Sequence, residues 1–271
     1  MTTRRPETEC YTTRIANLLL AGNKAGGQDI SAQSLRIFDL CTGTGCISLL
    51  LYSLLFQTFR HISIHGVDIS ARAINLARKN LQLNVAKGNL PSSAVDQVQF
   101  VQADVLCPGF VGSSAWKDDP PAHKVEYNIL ISNPPYISPS GFTKNTTRSV
   151  RNWEPRLALV PCTKEVMSTC KRGDDFYPVL LAAATQARCR FVALEVADLE
   201  QAKRVASMVR ESGKWKGVEI WRDWVDHRNP VESSVNVGNE GRVAVQGEGN
   251  GRVVVFWSGE GEVVFTRRPL N

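Results

Sequence analysis

The chain has 271 residues, 43% of them hydrophobic and 21% charged, and carries a net charge of +6. This is ordinary globular composition, and the length suits one α/β domain with additions better than two equal domains. The charge permits a nucleic-acid or ribosome-associated partner without showing one, because solubility alone accounts for it. The seven cysteines are odd in number, scattered and never spaced C-x-x-C, which points to a reducing compartment rather than a disulfide framework. His61 and His65 sit in a strand-like stretch with no third ligand close in sequence, so no metal is expected. The longest apolar run, residues 47–56, is too short to cross a bilayer and is interrupted by Ser48 and Ser53, so no membrane partner is expected. Residues 1–9 lack an apolar signal core, and any targeting segment is expected to lie outside this chain.

In chain order, Thr8 is placed to cap a first helix with Ile15, Leu18 and Leu19 as its apolar stripe, ended by the glycines of residues 22–27. Residues 35–40 read as a strand. A loop containing Cys41, Thr42, Gly43, Thr44 and Gly45 follows, then a helix with Ile47, Leu50, Leu51, Leu54 and Leu55 on one face. A second strand, 62–67, ends in Asp68, and Ser70 caps a helix whose Ile74, Ala77 and Leu81 face inward. Two successive βα units predict a parallel sheet with right-handed crossovers.

A third strand, 98–101, leads to Asp104, and residues 112–124 read as a surface insertion. A fourth strand, 127–131, then runs into Asn133, Pro134, Pro135 and Tyr136. Beyond it, an aperiodic stretch containing Trp153, Glu154 and Arg156 is a candidate substrate lid. A helix over 174–187, a strand over 191–196, a helix capped by Asp198, and strands at 218–221 and 253–257 complete the reading. The glycine-rich residues 236–251 are expected to be a mobile hairpin loop.

The Asn-Pro-Pro-Tyr turn cannot continue its strand, because proline has no N–H to donate and holds the preceding residue extended. Asn133 and the Pro134 carbonyl could accept both hydrogens of a planar –NH2 group while the Tyr136 ring packs on its face. In an open parallel sheet, ligands bind at the carboxyl ends of the strands. Gly43 and Gly45 permit close approach there, Asp68 can accept ribose hydroxyls, Asp104 can accept from an adenine amine, and Asp39 can orient the loop or meet an ammonium. Taken singly, Asp68 and Asp104 are ordinary helix-cap or turn residues. Their joint placement at successive strand ends favours a nucleoside ligand without a diphosphate, because there is neither a third glycine nor a P-loop lysine. S-adenosylmethionine fits, with S-adenosylhomocysteine as its product.

These residues resemble the HemK-type protein-glutamine N5-methyltransferases, which act on the Gly-Gly-Gln glutamine of peptide-chain release factors. The resemblance rests on Arg5 to Glu9 (R-P-E-T-E), Asp39 to Gly45, Ser132 to Ile137 (S-N-P-P-Y-I), Glu154 to Leu159 (E-P-R-L-A-L), and Gly173, Asp175, Phe176 and Tyr177 (G-x-D-F-Y). It implies a class I S-adenosylmethionine-dependent methyltransferase of Rossmann-like α/β fold, with a mostly parallel seven-stranded sheet, helices on both faces and an antiparallel last strand. It also implies Asp39, Thr42, Gly43, Gly45, Asp68, Ile69, Asp104, Val105 and Asn133 at the cofactor, and Asn133, Pro134, Pro135 and Tyr136 at the substrate, with Asn133, Pro134 and Tyr136 catalytic. The expected partner is a release factor rather than nucleic acid.

Cys41 stands where that family has its first glycine. The chain begins almost at Arg5, so the family's N-terminal docking domain is expected to be reduced to a remnant over residues 1–30, with the catalytic domain at 31–271. The insertions and the Cys-Thr-Gly-Thr-Gly loop look most like a fungal mitochondrial member, which implies the mitochondrial matrix, with the cytoplasm as alternative. Glu7 is expected to fold over the cofactor pocket, and Trp153 and Arg156 to form the lid. Two other readings stay open: an adenine-N6 or other exocyclic-amine nucleic-acid methyltransferase, for which Arg148, Arg151, Arg156 and Trp153 could supply a groove, and a non-catalytic cofactor-binding scaffold.

Overall fold

The computed structural model describes residues 5–25, 34–107, 110, 127–144, 146–161, 172–225, 232–238 and 241–259. The first helix, α1 (Pro6–Ala25), is followed by β1 (Ser34–Leu40), α2 (Cys46–Leu55), β2 (His61–Asp68), α3 (Ala71–Ala86), a single turn α4 (Ala94–Gln97) and β3 (Val98–Gln102). The chain continues through β4 (Ile129–Ser132), the short helices α5 (Pro139–Lys144) and α6 (Arg148–Trp153), and a 3-10 turn (Arg156–Ala158). Its last part comprises α7 (Phe176–Gln186), β5 (Phe191–Glu195), α8 (Leu199–Glu211), β6 (Gly217–Trp224), β7 (Glu232–Asn236), β8 (Arg242–Gln246) and β9 (Glu248–Trp257).

All strands among the described residues join one sheet in the order β3-β2-β1-β4-β5-β9-β6-β8-β7. The first five are parallel, and β9 runs antiparallel between β5 and β6. Seven strands therefore form the expected core with its antiparallel last strand, and the β7–β8 hairpin widens the sheet to nine. Side-chain alternation on β4 shows how the layers separate. Ile129 and Ile131 enter the apolar core shared with α1, α2 and α3, whereas Leu130 enters the core shared with α7 and α8. Each such buried aliphatic side chain contributes about 1.5–3 kcal/mol of transfer free energy.

Local chemistry sets the helix starts. The Ser70 hydroxyl accepts from the Ala73 N–H, the Asp198 carboxylate accepts from the Gln201 N–H, and Ile74, Ala77 and Leu81 are buried as expected. Of the apolar stripe Leu199, Ala202, Ala206 and Val209 that the spacing predicts for the helix after Asp198, all but the half-buried Leu199 are buried. Ile15, Leu18 and Leu19 of α1 are buried as well. Thr8 is not a cap, because α1 begins at Pro6, whose fixed φ and missing N–H suit the first helical position.

The expected mobile loop at 236–251 is instead largely strand, in β8 and the start of β9. Val243 and Val245 bury one face of β8, while Gly241, Gly247 and Gly249 supply the positive φ angles that let the chain turn around it. The described part of the stretch between Tyr136 and α7 contains α5, α6 and the 3-10 turn in place of the expected irregular chain. The insertion at 112–124 lies outside the described residues.

Candidate active site

Parallel register aligns the carboxyl ends of four strands. Leu40 pairs with Val67 on one side and Ser132 on the other, and Asp68 pairs with Gln102. The loop after β1 is thus flanked by Asp68 and by the Asn133 turn. Its backbone reverses through three left-handed residues, Cys41 at φ 60°, Gly43 at 58° and Gly45 at 78°. Cys41 accommodates its side chain in this conformation, which residues other than Gly, Asn and Asp seldom adopt. Gly45 has no such freedom: a Cβ there would stand 2.7 Å from the Phe100 ring. At Gly43 nothing lies within 4 Å of where a Cβ would be, so the backbone is open to a ligand.

Asp68 fixes this loop. One carboxylate oxygen accepts the Gly43 N–H at 2.9 Å and the other accepts the Ser70 N–H at 2.9 Å, which leaves further lone pairs for donors from a ligand. Ala103 N–H binds the Asp68 carbonyl, bringing Asp104 alongside. The Asp104 carboxylate accepts from Leu106 N–H at 2.9 Å. Ile69 is a large apolar side chain left 43% exposed between these acids, whereas the Val105 side chain is packed in the core.

Asp39 is fully buried beneath the loop. Its Oδ2 accepts from the Thr42 and Ser48 hydroxyls, each at 2.6 Å, while its Oδ1 is buried with no partner among the described residues. Burial raises its pKa from 3.8 to about 6, against the two hydroxyl hydrogen bonds, which pull the other way. A carboxyl whose folded pKa is raised binds its proton more tightly in the native state, so its stabilising contribution is complete below about pH 4 and is lost as pH rises through about 6. Asp39→Asn is expected to flatten the decline in stability across that window. The check is chemical unfolding of both proteins from pH 4 to 7; parallel curves would contradict it. The buried Glu195 is also raised but is present in both proteins, so the difference isolates Asp39.

The Asn-Pro-Pro-Tyr turn is held at several points. The Ser132 hydroxyl donates to the Leu40 carbonyl at 2.7 Å, tying the residue before the turn to the residue before the glycine loop. Ile137 N–H donates to the Leu159 carbonyl at 2.8 Å, which brings the E-P-R-L-A-L stretch against it. Gln201, only 2% exposed, donates its amide to the carbonyls of Tyr136 and Gly173 and to Asp174. Asp174 in turn receives a two-pronged pair from Arg204, at 2.6 and 2.9 Å. Pro134, Pro135 and Tyr136 are buried. Asn133 is half-buried, and its side-chain amide has no hydrogen-bond partner among the described residues.

The structure thus gathers Asp39, Thr42, Gly43, Asp68, Asp104 and Asn133 along one edge of the sheet. Gln201 and Glu195 were not singled out from sequence, because an isolated Gln or Glu in a helix or strand carries no local signature. Trp153 is 84% exposed, with Arg148, Arg151 and Arg156 exposed near it in sequence. Arg151 donates to the Thr143 carbonyl at 3.0 Å and the Arg156 guanidinium stands over the Phe142 ring, so α5, α6 and the 3-10 turn are tied together. Among the described residues there is no cluster that could hold a metal and no helix long and apolar enough to cross a membrane.

A parallel sheet of this order, with an antiparallel strand inserted between its fifth and sixth, and a glycine loop and an acid at adjacent strand ends, defines a class I methyltransferase fold. The profile of a methyltransferase domain matches residues 31–107. Among solved structures, the methyltransferase domain titled delta-N METTL16 superposes with a TM-score of 0.52 at 16% identity, covering 95% of this chain and 84% of that one, a likeness of fold alone.

The particular resemblance comes from sequence. The chain is 38% identical over 145 residues to a probable MRF1 mitochondrial N(5)-glutamine methyltransferase of Schizosaccharomyces pombe, covering 53% of this chain and 38% of that protein. It is 37% identical over 126 residues to the mitochondrial MRF1 N(5)-glutamine methyltransferase of Saccharomyces cerevisiae, covering 46% and 33%. It is also 32% identical over 180 residues to a release factor glutamine methyltransferase of Chlorobaculum tepidum, covering 66% and 49%. The similarity to glutamine methyltransferases, fungal mitochondrial ones among them, is therefore borne out, and the chain spans half or less of the length of these relatives.

Proposed function

We propose that this protein transfers the methyl group of S-adenosylmethionine to the side-chain amide nitrogen of the glutamine in a release factor's Gly-Gly-Gln motif, in mitochondria. The observation that carries the reading is the unpartnered Asn133 amide beside the buried Pro134, next to Ser132, which bonds the last residue before the glycine loop. The relatives' names support the choice of glutamine.

The residues fit the cofactor. Gly43 leaves open backbone, Asp68 and Asp104 offer carboxylates at adjacent strand ends, Ile69 offers an exposed apolar face, and the orphaned Asp39 Oδ1 suits an ammonium. S-adenosylmethionine supplies an electrophilic methyl group on a sulfonium. The chain's own residues prepare the nucleophile. An amide nitrogen is weakly nucleophilic because its lone pair is delocalised, so holding it in line and drawing on its two hydrogens is the useful contribution. The Asn133 side-chain carbonyl and the Pro134 carbonyl accept those hydrogens, and the Tyr136 ring packs on the amide plane. No strong base is needed, because the amide proton becomes acidic only as the methyl arrives and can then pass to solvent.

Residues 1–30 would lie at the substrate-docking side of a catalytic domain at 31–271. Transfer of labelled methyl from S-adenosylmethionine to a mitochondrial-type release factor, with a Gln-to-Ala version as control, tests the reading: label is expected on the first protein and not on the second. The exposed Trp153 with Arg148 and Arg151 favours one other reading, methylation of an exocyclic amine on a nucleic acid. Label entering RNA or DNA and not the release factor would establish that instead.

A further inference from the structure

Glu195 closes β5 at the same edge of the sheet and is 1% exposed. Its Oε2 accepts from the Thr8 hydroxyl at 3.0 Å and the Tyr11 hydroxyl at 2.8 Å, both from α1, and its Oε1 accepts from the Tyr136 hydroxyl at 3.1 Å. The Tyr177 hydroxyl donates to the Glu195 backbone carbonyl at 3.0 Å. Arg5 completes the arrangement, donating through Nη1 to the Tyr136 hydroxyl at 3.1 Å and through Nη2 to Glu154 at 2.9 Å. One buried carboxylate thus joins α1 to the Asn-Pro-Pro-Tyr turn, the backbone carbonyl of the same residue holds α7, and one guanidinium joins that turn to the segment containing α6.

Burying a carboxylate is unfavourable unless hydrogen bonds replace its lost hydration. A carboxylate has one property a neutral amide lacks: it offers no donor, so every hydroxyl that meets it must donate. The Tyr136 hydrogen is therefore committed to Glu195, and its oxygen faces Arg5. With both partners fixed the phenol cannot turn, and the plane of its ring is set from its far end. Tyr136 has no hydroxyl left for the substrate; what it can present is its ring.

We infer that Glu195 is a positioning residue for the methyl acceptor, orienting the Tyr136 ring through its hydroxyl, and that Arg5 fastens the Glu154 segment to the same turn. The inference rests on the proposed glutamine reading for the identity of the acceptor, but its mechanical half does not. The N-terminal helix would then act in positioning the reacting amide as well as in packing the sheet.

The test compares Glu195→Gln, Tyr136→Phe and the double variant in methyl transfer at saturating cofactor, with cofactor affinity and thermal midpoint measured alongside. Glutamine keeps the shape but places an N–H against one of the hydroxyls. Each single variant is expected to lose about 10- to 100-fold in kcat, the range that a small misplacement of a reacting group produces, with cofactor Kd unchanged. The double variant should lose no more than the worse single, because both changes release the same ring. Wild-type kcat in Glu195→Gln, or losses that multiply in the double variant, would overturn the positioning role even if the thermal midpoint falls.

Amide exchange of Ile137, whose N–H is held by Leu159, reads the fastening without any acceptor. In Arg5→Ala it is expected to exchange about tenfold faster, corresponding to about 1.4 kcal/mol, while Ile64 in β2 is unchanged. Unchanged exchange at Ile137 would overturn the Arg5 role. If the unaltered protein moves no methyl to a Gly-Gly-Gln protein, the functional reading falls, and the exchange result still decides the fastening.

Discussion

Asn133→Ala is expected to lower turnover by about 10²- to 10³-fold, the loss seen when one preorganised polar group is removed from a reacting centre, while cofactor affinity shifts by no more than about threefold. The Asn133 side chain is half-buried and bonds to none of the described residues, so truncation strands no buried partner and should cost only about 0.5 kcal/mol of stability. What is lost is an acceptor for the incoming amide's hydrogens. The glycine loop and its two carboxylates do not depend on that side chain: Asp68 is bonded to Gly43 and Ser70, and Asp104 to Leu106. Single-turnover transfer together with calorimetric cofactor titration separates the two effects. Lost cofactor binding with normal turnover at saturation would assign Asn133 to the cofactor rather than to the acceptor.

The part of this site that was legible in sequence is the part set by neighbours in the chain. β4 is a short apolar run stopped by prolines, and the strand-like runs of β1 and β2 lead into a glycine loop and a Ser70-capped helix, so Asp68 and Asn133 could be placed at strand ends without a structure. α3 announced itself through Ser70 and the spacing of Ile74, Ala77 and Leu81. Glu195 did not, because its hydroxyl donors lie 59, 184 and 187 residues away in sequence, and only the sheet order, with the packing of α1 on the sheet, brings them to the end of β5. Thr8 looked like a cap because threonine often is one, but its hydroxyl is spent on that distant carboxylate. The strand at 242–246 and the start of β9, before the 253–257 stretch that reads as a strand, were hidden for a different reason. The alternating valines of β8 were readable, but the surrounding glycines, which the structure uses for left-handed turns, spelled a loop.

Gly173→Ala should do the greatest damage to the turn of any small change outside it. Gly173 has φ +77°, and an added Cβ would collide with the Tyr136 carbonyl oxygen, stand 2.9 Å from that carbonyl's carbon and 3.0 Å from the Ser138 nitrogen. These are backbone atoms of a turn with two prolines, and the Gln201 amide bonds both the Tyr136 and the Gly173 carbonyl, so neither wall can yield cheaply. The left-handed conformation costs an alanine about 1–2 kcal/mol and the forced backbone shift a further 1–3 kcal/mol, enough to lower the thermal midpoint by roughly 5–15 °C. Gly88→Ala is the control, because Gly88 has φ +71° but nothing within 4 Å of the added Cβ. It carries the conformational cost alone. A fall in midpoint no larger at position 173 than at 88 would mean that the turn can move aside. A larger fall accompanied by lost turnover would show that the acceptor carbonyls depend on the close approach at Gly173, since the substitution reaches Pro134 only through the chain it displaces.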